Sequence, residues 1–138
     1  MFNEIGINAR KASKVIAKLS TDEKNTVLYD MSQELINNKD IILTSNKLDL
    51  ENSKELELSS ALIDRLTLNE DRIIGMSNGL QKIIPLSDPV GEVTKEWKSE
   101  DGLMISKVRN PFGVIGVIYE ARPNVTSCLL YTSPSPRD

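Results

Sequence analysis

Residues Gly113–Thr126 constrain this chain more than any other stretch. Val114–Tyr119 is an uncharged run rich in Val and Ile, and it leads straight into Glu120, Ala121, Arg122, Pro123 and Asn124. A continuous apolar run of strand length predicts a strand buried on both faces, as in the interior of a parallel sheet covered by helices. In such sheets ligands bind beyond the carboxyl ends of the strands. Chemistry is therefore expected within Glu120–Thr126.

Everything before Pro85 has the period of helices. Ile5, Ala9, Ala12, Val15, Ile16 and Leu19 recur at three and four and form one apolar stripe. Ser20 and Glu23 have capping-box spacing, which predicts a helix start behind which Val27, Leu28, Met31, Leu35 and Ile36 face inward. Asn37 and Asn38 break the pattern before a third helix carrying Ile41, Ile42, Leu43, Leu48 and Leu50. A short helical piece is expected around Ala61–Leu66. Thr67 and Glu70 repeat the capping-box spacing ahead of Ile73, Met76, Leu80, Ile83 and Ile84. The ordinary meaning of such stripes is core packing.

Pro85 and Pro89 end the helical part, since each disfavours helix in the residue before it. Two strands follow, Glu92–Trp97 and Leu103–Arg109, joined through Asp101-Gly102, which supplies a positive-φ turn position. Lys95 between Val93 and Trp97 makes the alternation imperfect, so this ribbon is expected to have one wet face or to pack on a partner subunit. Residues 110–113 form a turn. Helices, then a hairpin, then a parallel-type strand imply an α/β domain.

Composition narrows the function. The 138 residues suffice for one domain with a real core but are short for a two-domain enzyme. Seventeen basic residues against 20 acidic ones, with no basic cluster interleaved with aromatics, argue against nucleic acid as a partner. The absence of His excludes a Ser-His-Asp triad and His-ligated zinc within these residues, and the single Cys128 excludes an internal disulfide or a Cys-x-x-Cys metal site. No apolar stretch approaches the ~20 residues that cross a bilayer. Met1–Gly6 has no signal-peptide character. A cytoplasmic, soluble chain without membrane partners is expected.

The residues themselves leave the chemistry open. Arg122 is a fixed cation with a planar donor fork suited to phosphate or carboxylate, or it pairs locally with Glu120 or stays exposed. Asn124 could aim a side-chain N–H at a developing oxyanion or cap a following helix, and chemistry alone favours the cap. Gly113 and Gly116 do not form the dinucleotide fingerprint Gly-x-Gly-x-x-Gly.

A wider pattern is carried by Leu19–Thr21, Lys24 and Asn25, Asn46–Leu50, Asp64–Leu66, Arg72 and Ile73, Gly79 and Leu80, Asp88–Val93, Trp97, Gly102 and Leu103, and above all Ile118–Thr126. Together these resemble the N-terminal part of the gamma-glutamyl phosphate reductase (glutamate-5-semialdehyde dehydrogenase) family, within the aldehyde dehydrogenase superfamily, from near Met1 to Ser127. Asn110 and Phe112 stand where that family usually has Val and Leu. The resemblance implies NADPH-dependent reduction of L-glutamate 5-phosphate to the 5-semialdehyde with release of phosphate, a step of proline biosynthesis. A cysteine thiolate displaces phosphate to give a thioester, which hydride then reduces; covalent catalysis thus splits one hard step into two easier ones. Asn124 matches the superfamily's oxyanion asparagine, and the resemblance implies that Glu120, Ala121, Arg122 and Pro123 would lie beside the nicotinamide and substrate phosphate. The 92–109 hairpin resembles part of the ribbon that pairs between subunits, so the parent is expected to be a homo-oligomer.

On this resemblance, residues 1–127 are the first part of the dinucleotide-binding domain: a helical layer, a ribbon hairpin and the first strand of the sheet. The family's pattern breaks after Ser127, where an acidic residue and an apolar helix are expected. The last stretch, Cys128–Asp138, resembles a translated transposase-type sequencing adapter instead, so it is expected to be a non-native tail and Cys128 to have no role. The family's cysteine lies far downstream, and the fragment is expected to be inactive. The alternatives are another aldehyde or acyl dehydrogenase of the superfamily, or a non-catalytic helical assembly module that self-associates through the ribbon. Val114–Tyr119, without neighbouring strands, is expected to promote aggregation.

Overall fold

The computed structural model describes residues 2–54, 58–118 and 125. Among them are five helices and two strands: α1 (Phe2–Ile16), α2 (Thr21–Asn37), α3 (Lys39–Ser53), α4 (Ser60–Leu66), α5 (Glu70–Gln81), β1 (Val93–Lys98) and β2 (Met104–Val108). They divide into two compact units. The first joins Met1–Lys24 to Ser87–Gly116, and the second is built on Asn25–Leu86.

Local chemistry sets the helix ends. The Ser20 amide donates to Glu23 Oε2 at 2.7 Å and the Glu23 amide donates to Ser20 Oγ at 3.3 Å, the reciprocal box expected from the spacing. The Ser20 amide, then the Ser20 hydroxyl, which donates to the same Oε2 at 2.8 Å, hold the Glu23 carboxyl below its ordinary range. Ahead of it, α1 stops short of Leu19. The Lys18 and Leu19 amides donate to the Val15 and Ile16 carbonyls, tightening the last turn into three-residue bonds. The carboxamide of Asn38 donates to the carbonyl and the carboxylate of Glu34, closing α2 before α3 begins.

The second capping box does not form where the spacing places it. Asn69, not Thr67, caps α5, its Oδ1 accepting from the Arg72 amide at 2.8 Å. Thr67 instead ends α4 and donates its hydroxyl to the Ile63 carbonyl. Asn is at least as good a cap as Thr and stands directly before the helix. The Arg72 guanidinium turns back to the Asp64 and Thr67 carbonyls and to Asp64 Oδ1, supplying cationic donors to the C-terminal end of α4.

In the second unit α3 packs on α4 and α5. Its buried apolar residues are Ile73, Met76 and Leu80, one stripe of α5. Ser32, Asn46, Ser53 and Ser77 are buried as well. The expected inward residues of α2 and α3 are only partly inside. Leu28, Leu35, Ile42, Leu43 and Leu50 are half-buried, while Val27, Met31, Ile41 and Leu48 are exposed. The stripe of α1 is exposed almost throughout, Ile5 at 58% and Val15 at 62%. Core packing therefore holds for the α5 stripe and fails for the α1 stripe.

In the first unit β1 and β2 pair antiparallel, with Trp97 opposite Ile105 and Lys98 opposite Met104. Gly102 has φ +87°, and the Ser99 amide donates to the Leu103 carbonyl across the turn, as the Asp-Gly pair predicts. The register shifts between Val93 and Lys95, leaving Thr94 as an extra residue whose hydroxyl donates to the Lys107 carbonyl. This bulge is the physical source of the imperfect alternation: it puts Val93 and Val108 opposite one another although Lys95 pairs with Lys107. Both faces of the ribbon are exposed.

Val114–Ile118 forms no strand. The expectation of burial on both faces is corrected here: Val114, Ile115 and Val117 are exposed and Ile118 is fully so. A strand exists only against a partner, and no described residue pairs with this run.

Candidate functional site

Gly113 opens the apolar run that precedes, in sequence, the residues expected to carry the chemistry. Its φ of +85° turns the chain out of the ribbon's return, a conformation that a side chain would strain. On the ribbon side Arg109 pairs with Glu92 at 3.1 Å, and their backbones exchange a bond from the Arg109 amide to the Glu92 carbonyl at 2.9 Å. The chain therefore leaves the ribbon at Arg109 and turns at Gly113, and Val114–Ile118 follows without regular secondary structure.

An apolar groove of about 500 Å³ lies along this lead-in, lined by Ala9, Ala12 and Ile16 of α1 and by Val90, Pro111 and Val114. Its polar edge is Lys24 and Asp88. Lys24 Nζ lies 2.7 Å from Asp88 Oδ2, and both side chains are mostly shielded from water. The Thr21 hydroxyl donates to the same oxygen, and the Val90 amide donates to Oδ1 at 3.0 Å. The Lys24 hydrogen bond, then the Val90 amide, hold the Asp88 carboxyl below the usual carboxylate range. A carboxylate so engaged is a structural anchor and is poorly placed to act as a base.

The residues expected to carry the chemistry, Glu120, Ala121, Arg122, Pro123 and Asn124, lie outside the described residues, as do Tyr119 and the tail from Cys128. Val125 is helical and half-buried. This groove is not itself a dinucleotide cradle, since it is apolar and the one cation among its lining residues is paired with Asp88. Among the described residues no group of three or more His, Cys, Asp or Glu could hold a metal ion, and no helix is long and apolar enough to cross a membrane.

Asn46 is the polar residue that sequence reasoning left without a role. It is buried in α3, donates its amide to the Leu66 carbonyl at 2.9 Å and accepts the Leu68 amide at 2.7 Å. A signal was present: Ile42, Leu43 and Leu50, at helical spacing around it, put Asn46 in the middle of an apolar stripe. Lys39 and Glu70 form a further ion pair that raises the Lys39 pKa.

A helical layer followed by an antiparallel ribbon and an apolar lead-in defines a portion of a mixed α/β protein. No family model matches the chain. It is 54% identical over 119 residues to gamma-glutamyl phosphate reductase of Clostridium kluyveri, a match covering 86% of this chain and 28% of that protein. The gamma-glutamyl phosphate reductase of Thermodesulfovibrio yellowstonii is 52% identical over 118 residues, again 86% of this chain and 28% of the relative.

Two crystal structures agree. Gamma-glutamyl phosphate reductase from Thermotoga maritima superposes with a TM-score of 0.82 at 43% identity, covering 86% of this chain and 29% of that one. The Saccharomyces cerevisiae enzyme gives 0.83 at 36% identity, covering 90% and 32%. Over the shared stretch the chain is homologous to gamma-glutamyl phosphate reductase and matches its N-terminal part. It spans less than a third of the length of these relatives.

Proposed function

We propose that the chain is a fragment of an enzyme that reduces L-glutamate 5-phosphate to L-glutamate 5-semialdehyde and releases phosphate, in proline biosynthesis. The similarity of more than 50% over most of this chain to proteins named for that activity carries the reading. NADPH is the reductant the resemblance implies. Glu120, Ala121, Arg122 and Pro123 are its proposed neighbours, and Asn124 is the proposed oxyanion donor. The cysteine nucleophile belongs to sequence outside this chain, and Cys128 takes no part. The parent is read as a cytoplasmic homo-oligomer that pairs through the Glu92–Arg109 ribbon.

Residues 1–127 are read as the first part of the dinucleotide-binding domain and 128–138 as an adapter-derived tail. A genomic reading frame that continues through the codons for Cys128–Asp138 would overturn the tail assignment.

The function is tested by expressing the complete parent gene and following NADPH oxidation with L-glutamate 5-phosphate. Turnover is expected, and its absence with correctly folded protein overturns the assigned reaction. Residues 1–138 alone are expected to give none, and turnover by them overturns the fragment reading.

A further inference from the structure

We draw no further inference here: the strongest candidate, the apolar groove between α1 and the Pro111–Val114 segment with Lys24 and Asp88 at its edge, carries nothing because its charged pair is already satisfied and nothing in the structure shows what covers it.

Discussion

Lys24 and Asp88, 64 residues apart in sequence, meet at 2.7 Å and tie the first turn of α2 to the segment that leads into the ribbon. Water reaches this pair only partly, so the bond is worth more than an exposed ion pair and less than a fully buried one. Asp88 also accepts from Thr21 and Val90, which makes it the hub of that corner.

Asp88→Asn is expected to lower stability by about 1.5 kcal/mol near pH 7, the low end for a charge-assisted hydrogen bond. The folded-state pKa of Asp88 is depressed. Its contribution is therefore fully present above the unfolded carboxylate value of about 3.9 and is lost as pH falls through the lower folded value. Urea unfolding followed by helical circular dichroism at pH 7, 5 and 3 checks this. The gap between parent and variant should hold from pH 7 to 5 and narrow at 3. Equal stability at pH 7 would remove the anchor role.

Asn46 makes a different kind of link. One carboxamide satisfies the Leu66 carbonyl and the Leu68 amide, so Asn46→Leu leaves both backbone groups without their partner. An unsatisfied buried group costs about 1–3 kcal/mol. A loss of at least 2 kcal/mol in the same urea assay is expected, although the variant adds apolar surface. Asn46→Asp keeps an acceptor for Leu68 but faces a carboxylate toward the Leu66 carbonyl, and it should also lose stability at pH 7. A neutral Asn46→Leu would show that water replaces the clamp.

Asn46 also shows why part of this molecule was legible and part was not. The Ser20–Glu23 box lies within four residues and is legible from spacing, because both partners are neighbours in sequence. The Thr67–Glu70 spacing was equally local but misled, since Asn69 competed for the same helix start. The Asn46 clamp reaches residues 20 and 22 positions away, and no local rule reports such partners. Periodicity gave the stripe of α1 and could not say that its facing surface is incomplete among the described residues. The run after Gly113 was recognisable as special from its composition, yet a strand is a property of a pair, and its partner is not among the described residues.

Gly102 holds the ribbon's turn at φ +87°. A Cβ there would meet only the flexible end of Lys98 at 3.8 Å, so the cost of substitution is conformational rather than steric. Gly102→Ala is expected to destabilise the ribbon by about 1–2 kcal/mol, and Gly102→Asn by less, because Asn enters the left-handed region more readily. A two-stranded ribbon exposed on both faces has little reserve against such a loss. The single Trp97 lies on β1 with Lys95 over its ring at 5.4 Å, so its fluorescence reports the ribbon. The emission of Gly102→Ala should shift toward that of unfolded chain while helical dichroism stays unchanged. An unaltered spectrum would mean that the turn does not set the hairpin.

Asn124 separates the two roles proposed for its side chain. As an oxyanion donor it acts only when charge develops on the reacting carbonyl, so in the complete enzyme Asn124→Ala should lower kcat by about 10²–10³-fold with little change in KM. As a helix cap it would instead contribute about 1 kcal/mol of stability and leave kcat nearly intact. Asn124→Asp distinguishes them further. Asp caps a helix about as well as Asn, but an ionised carboxylate has no N–H to donate and repels an oxyanion. The expected outcome is a variant with parental thermal stability and kcat reduced at least as far as in Asn124→Ala. Retained turnover in Asn124→Asp, together with a lowered melting temperature in Asn124→Ala, would assign Asn124 to the helix end and move the oxyanion role to another donor.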